Sequence, residues 1–213
     1  MAYPFELCYI TDRQALEPKP LLPWVREAIR AGLDMVQIRE KDLATRELLE
    51  LVQGAVAAAR GTSARIVVND RLDVALDAEA AGIHLGTQSL PAPVVRRQVP
   101  KDFLLGVSCH SLEDALSAES AGADYVVLGP IFETPSKLRY GPPLGLEKLR
   151  EVTTRVKMPV LALGGITVEL VRACLEAGAT GIAGISLFQN CESLETCVRE
   201  LRAELARRAG PRF

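Results

Sequence analysis

The sequence predicts an α/β protein of the (βα)8 barrel class, the TIM-barrel architecture, folded as one compact domain over residues 1–213. Three observations predict it. Short Val/Ile/Leu-rich runs alternate with longer helical patterns along the whole chain, the signature of a parallel sheet covered by helices. The runs number eight, and eight βα units close naturally into a barrel. The dipeptide Ala-Gly recurs at 31–32, 81–82, 121–122 and 177–178, each time between a helical stretch and the second, fourth, sixth or eighth run. A glycine there supplies the left-handed residue that ends a helix, and its return in every second unit marks a repeated plan. An open doubly wound sheet is the competing class. It calls for a glycine-rich turn after the first strand, where this chain has TDRQALEP.

The first strand is read in FELCYITD (5–12) and the second in MVQIREKD (35–42). ARIVVND (64–70), IHLG (83–86) and LLGVSCH (104–110) give the third to fifth. ADYVVLGP (123–130), MPVLALGG (158–165) and GIAGISL (181–187) complete the set. Helical patterns follow, clearest at 45–60, 111–121, 144–155, 167–177 and 193–208. A barrel of this size leaves little room for insertions, and the long turn-rich stretch is TPSKLRYGPP (134–143), placed after the sixth strand at the carboxyl-terminal face.

Composition narrows the function. With 48% hydrophobic residues the chain buries a substantial core, and a formal net charge of -2 without long single-sign runs excludes a nucleic-acid or anionic-membrane surface. Any basic site is local. Cys8, Cys109, Cys174, Cys191 and Cys197 form no CxxC pair and read as free thiols in a reducing compartment. The start MAYPFELCYITD lacks the pattern of a signal peptide, and no stretch is long and apolar enough to span a bilayer, so a cytoplasmic location is expected. A homo-oligomer is compatible with all of this.

Catalytic groups of βα barrels sit at the carboxyl ends of the strands. In MVQIREKD, period-two alternation sets Gln37, Arg39 and Lys41 on one face and Val36, Ile38 and Glu40 on the other. With Lys137 these make three cations at one mouth, a costly cluster unless an anion shares it. A phosphate-bearing substrate meets that demand. The plainer alternative is a wet rim where Glu40 and Asp42 neutralise their neighbours. Asn69 and Asp70 end the third strand, where Asp70 is either a Mg²⁺ ligand or the cap of the following helix. The glycines of LALGG and the AGIS turn match the place where many barrels hold phosphate through backbone N–H groups, with Gly165 for close approach and Ser186 for a hydroxyl. His84 reads as structural, while His110 either caps a helix or touches substrate. Two anion sites in one mouth suit two phosphorylated substrates.

QIREKD, NDRLDVAL, GIHLG, GVSCH, GADYVVLGPIFETPSK, LALGGIT and GIAGIS, in this order, closely resemble the motifs of the thiamine phosphate synthase family, over almost the whole chain. The resemblance implies a transferase that joins 4-amino-5-hydroxymethyl-2-methylpyrimidine diphosphate to 4-methyl-5-(2-phosphoethyl)thiazole with Mg²⁺. It implies that Gln37, Arg39, Lys41, Asn69, Ser108 and Lys137 hold the pyrimidine diphosphate, that Arg39, Lys41 and Lys137 act on the leaving group, and that Asp70 takes the metal. Thr134, Ser136, Gly165, Ile185 and Ser186 are implied for the thiazole phosphate. Two positions depart from the family pattern: Ser89 stands where a second metal-binding aspartate is usual, and Ser136 replaces a threonine. Ser89 brings in two alternatives, the thiazole tautomerases of the same superfamily and a non-catalytic barrel that binds phosphate ligands. Pro130 stands where the tautomerases carry histidine, and Gln37, Lys41 and Asp70 are retained, which favours the synthase.

Overall fold

The computed structural model describes residues 5–134 and 142–207. Eight parallel strands close on themselves in sequence order. They are β1 (Leu7–Ile10), β2 (Met35–Ile38), β3 (Arg65–Asn69), β4 (Gly82–Leu85), β5 (Leu104–Cys109), β6 (Tyr125–Leu128), β7 (Val160–Leu163) and β8 (Gly181–Gly184), with β8 paired back onto β1. Helices α1 (Arg13–Leu16) and α2 (Leu21–Arg30) follow β1. Next come α3 (Thr45–Ala59), α4 (Leu72–Asp77), α5 (Ala92–Arg96), α6 (Leu112–Ser120), α7 (Gly145–Arg155) and α8 (Val168–Glu176). The short α9 (Ser186–Gln189) and the longer α10 (Leu194–Arg207) follow β8. No helix among the described residues is long and apolar enough to cross a membrane.

Alternation along each strand sorts side chains into two apolar layers. Cys8, Ile10, Met35, Val67, Tyr125 and Leu161 pack together in the lumen. Leu7, Tyr9, Val36, Ile38, Ile66 and Val126 belong to the larger layer under the helices. Burial on both faces is why the strands read as nearly unbroken apolar runs.

Three of the four Ala-Gly glycines end helices as expected: Gly32, Gly122 and Gly178 have φ of +95°, +81° and +94°. Gly82 does not. Helix α4 stops at Asp77, Glu79 takes the left-handed position at φ +54°, and Gly82 is already the first residue of β4. What Gly82 provides is close approach between strands, since a Cβ there would lie 2.2 Å from the carbonyl oxygen of Leu104.

The first and third repeats read Ala-Gly-x-Asp, and both aspartates tie the amino-terminal end of the barrel. Asp34 accepts the N–H groups of Glu6 at 2.8 Å and Leu7 at 2.9 Å and pairs with Arg202 of α10. Asp124 accepts the N–H of Leu105 at 2.8 Å and pairs with Arg96 at 3.0 Å. These carboxylates secure the end away from the strand termini, leaving the opposite end to carry function.

Candidate active site

At the carboxyl end of β2 the extended strand stops at Ile38, three residues short of the alternation through Lys41. Glu40 is the reason. Its carboxylate is buried, accepting the Thr11 hydroxyl at 2.5 Å and the Arg13 backbone N–H at 3.2 Å and 3.1 Å. Thr11 Oγ1 in turn accepts the N–H of Arg39 at 2.9 Å. Burial pushes the Glu40 carboxyl above its ordinary range, against the pull of these hydrogen bonds. Asp42 takes the Arg13 guanidinium and the Gln14 amide at 2.9 Å. Neither acid therefore neutralises Arg39 or Lys41, as a wet rim would require. Among the described residues the Arg39 side chain makes no hydrogen bond or ion pair, and its charge reaches the barrel axis, where it helps lower the pKa of His84.

Gln37 points into the lumen, 1% exposed, and its Nε2 has no hydrogen-bond partner among the described residues. An amide left unpaired in such a place costs about 1–3 kcal/mol. It is placed to donate to something else.

Asp70 follows β3 with φ +63°, a left-handed conformation that few residues other than glycine adopt. Its carboxylate does not cap α4. Oδ1 accepts the Ser89 hydroxyl and the Gly86 N–H at 3.4 Å, and Oδ2 accepts the Asn69 amide at 2.7 Å, with Lys41 Nζ at 3.5 Å. Burial raises this carboxyl, but the hydroxyl, the N–H, the Lys41 charge and the amide together bring it below its usual range. Ser89 is fixed by accepting the Gly86 N–H at 2.6 Å. Lys41, Asn69 and Asp70 line a cavity of about 250 Å³ shared with Ile38, Glu40, Leu43, Leu48 and Arg71.

His84 is enclosed in the lumen, with Nε2 at 2.9 Å from Ser108 Oγ and Nδ1 at 3.3 Å from Tyr125 OH. Burial, aided by Arg39 and opposed by Asp70, lowers its pKa to about 4. The ring is neutral and holds Ser108 at the end of β5. His110 bonds the Gly129 carbonyl through Nδ1, and its backbone N–H donates to Asp114 at 2.9 Å.

After β7 the chain turns through Gly164 at φ +100° and Gly165 at φ +63°. A Cβ on Gly165 would sit 2.3 Å from the Glu133 carbonyl oxygen, so the turn packs directly on the segment around Phe132 and Glu133, next to Thr134. The N–H groups of Ile131 and Phe132 donate to the Leu163 and Gly164 carbonyls at 2.8 and 3.0 Å, drawing the two segments together. Beside them Ile185 caps α9 and Ser186 opens it, exposed.

The fold thus brings Gln37, Arg39, Lys41, Asn69, Asp70 and Ser108 to the ends of neighbouring strands β2 to β5, and Thr134, Gly165, Ile185 and Ser186 to those of β6 to β8. Ser136 and Lys137 lie outside the described residues. Among the described residues no three His, Cys, Asp or Glu side chains form a metal cluster. Sequence reasoning missed Glu40 as a buried latch; its signal was Thr11, a hydroxyl ending the adjacent strand. It also missed Gln189, which is buried and donates to Tyr9 OH at 3.1 Å and the Asp12 carbonyl at 2.8 Å, joining α9 to the end of β1.

The chain matches the family model described as thiamine monophosphate synthase over residues 7–188. A thiamine-phosphate synthase of Syntrophomonas wolfei is 39% identical over 198 residues, 93% of this chain and 95% of the relative. One from Roseiflexus sp. strain RS-1 is 41% identical over 197 residues, 92% of this chain and 84% of the relative. Among solved structures, thiamine phosphate pyrophosphorylase of Pyrococcus furiosus superposes with a TM-score of 0.88 at 37% identity, covering 97% of this chain and 98% of the other.

Proposed function

The chain belongs to the thiamine monophosphate synthase family, and from that premise we propose how its barrel mouth works as a thiamine-phosphate synthase. This transferase of thiamine biosynthesis condenses 4-amino-5-hydroxymethyl-2-methylpyrimidine diphosphate with 4-methyl-5-(2-phosphoethyl)thiazole to give thiamine phosphate and diphosphate. The whole chain, 1–213, acts as one domain, in the cytoplasm, a compartment that suits five cysteines without disulfides.

The observation that carries the assignment of roles is Arg39. Its acidic neighbours are turned away onto Thr11 and Arg13, so among the described residues its guanidinium has no partner, nor has the Nε2 of Gln37 beside it. Arg39 and Lys41 receive the diphosphate, joined by Lys137, while Gln37, Asn69 and Ser108 orient the pyrimidine. Thr134, Ser136, Gly165, Ile185 and Ser186 hold the thiazole phosphate through hydroxyls and backbone N–H groups.

The bond between the exocyclic methylene and the diphosphate oxygen breaks first. Charge growing on the departing oxygens is met by Arg39, Lys41 and Lys137, and the aminopyrimidine delocalises the cation left behind until the thiazole nitrogen attacks. No protein base is needed, in keeping with two histidines already engaged with Ser108, Tyr125 and Gly129. Asp70 is the residue that would hold Mg²⁺. The donors fit: Mg²⁺ commonly takes one or two carboxylates and fills its shell from phosphate and water, and Asp70 offers a low-pKa carboxylate with the Ser89 hydroxyl beside it. Bound there, it would supply further positive charge for the leaving group.

Incubating the protein with both substrates and Mg²⁺ is expected to yield thiamine phosphate and diphosphate in equal amounts. No product at any Mg²⁺ concentration, with thiazole phosphate still bound, would overturn this reading.

A further inference from the structure

Behind the β8 turn, on the side away from the lumen, a cavity of about 570 Å³ opens between α8, α9 and α10. None of the proposed steps uses it, although Ser186 is on its wall. Two cysteines line it, Cys191 half-buried and Cys197 buried in the first turns of α10. Their sulfurs contact consecutive carbonyls of α9: Cys191 Sγ donates to Phe188 O at 3.3 Å and Cys197 Sγ to Leu187 O at 3.4 Å. The other three cysteines are buried elsewhere.

We propose that Cys191 and Cys197 form an oxidisable dithiol, a modification site at which a hydroperoxide attacks from the cavity and leaves a disulfide that loosens α9. The order of events follows from exposure. Cys191 meets solvent first, and its contact with Cys197, helped by Lys19, lowers its pKa, while the same contact and burial raise Cys197. Cys191 is the attacking sulfur and Cys197 the resolving one.

The Cys191 thiolate attacks one peroxide oxygen, the O–O bond breaks, and hydroxide takes a proton and leaves as water, giving a sulfenic acid. Cys197 sulfur then attacks Cys191 sulfur, the S–O bond breaks, and the Cys197 proton leaves with hydroxide as a second water. Two electrons pass from the two thiols to the peroxide. The product has no S–H, so the Leu187 and Phe188 carbonyls lose both sulfur donors. Through α9 this reaches Ser186 and Ile185, a coupling that rests on their proposed role in holding the thiazole phosphate.

The test treats the intact protein with an equimolar amount of hydrogen peroxide, blocks remaining thiols with N-ethylmaleimide, and digests with a glutamate-specific protease, which cuts between the pair at Glu192 and Glu195. Expected are a cross-linked fragment pair lighter by two hydrogens, and its loss in Cys191→Ser and Cys197→Ser. In untreated wild-type protein, iodoacetamide should label Cys191 at least about tenfold faster than Cys8, Cys109 or Cys174; this needs no variant to fold. Labelling of Cys191 no faster than these, or peroxide oxidation with no Cys191–Cys197 link, would overturn the proposal. The thiol readouts do not use turnover, so they stand apart from the assigned synthase chemistry. In active enzyme the cross-link should raise KM for the thiazole phosphate roughly threefold or more, reversibly with dithiothreitol; an unchanged KM would overturn the coupling through α9.

Discussion

Gln37 and Arg39 stand two residues apart, and among the described residues neither the Gln37 Nε2, an amide donor inside the lumen, nor the Arg39 guanidinium at its mouth has a partner. In the proposed mechanism, truncating the guanidinium removes charge needed only as diphosphate departs. Arg39→Ala is expected to lower kcat at least about 100-fold with the urea midpoint almost unmoved, because no side-chain hydrogen bond or ion pair among the described residues is lost. Near-normal turnover would contradict its role. Gln37 carries the opposite balance. Replacing it with leucine relieves an unpaired buried amide, so Gln37→Leu should raise stability by about 1 kcal/mol while raising KM for the pyrimidine diphosphate about tenfold. A loss of stability would mean that the amide has a partner in the free protein.

The end of β2 shows how one element aims another's side chain. The Thr11 hydroxyl, at the end of β1, donates to Glu40 and accepts from the Arg39 N–H, so β1 sets where β2 stops and where Arg39 begins. Thr11→Val keeps the shape but removes both bonds. It is expected to cost about 1–3 kcal/mol in chemical denaturation and to lower kcat more than it raises KM, since Thr11 touches neither proposed substrate. Thr11→Ser should recover both. If valine left kcat intact, Arg39 would be held by something else. This is also where sequence reading reaches its limit. All eight strands were legible because burial on both faces leaves long apolar runs, and the helices at 45–60, 111–121, 144–155, 167–177 and 193–208 lie within about a residue of their observed ends. Alternation failed beyond Ile38 because a contact with another strand, not local geometry, decides where Glu40 goes. Gly82 was misplaced as a helix end for a similar reason: its small size serves the neighbouring Leu104.

Closure of the whole barrel puts a titratable ring in its centre, a consequence no single strand reveals. His84, Ser108 and Tyr125 come from three different strands, and only the staggered register of β4, β5 and β6 joins them. Their meeting makes the stability of the entire molecule depend on pH. His84 has a folded-state pKa lowered to about 4 from 6.5, mainly by burial, so the unfolded chain takes up a proton there first. Stability contributed by keeping the ring neutral is full above about pH 6.5 and falls as the pH drops toward about 4, by at most about 3 kcal/mol at roughly 1.4 kcal/mol per unit. Glu40 works in the other direction: its raised pKa lets the folded state take a proton before the unfolded one, which favours folding as acid is added. Comparing wild-type protein with His84→Asn cancels the Glu40 contribution. Urea unfolding at pH 7.5 and pH 5 is expected to show a gap between the two proteins that shifts in favour of the variant at the lower pH. A gap that stays constant between the two pH values would mean that the imidazole can take its proton inside the folded barrel, and the neutral ring holding Ser108 at the mouth would have to be abandoned.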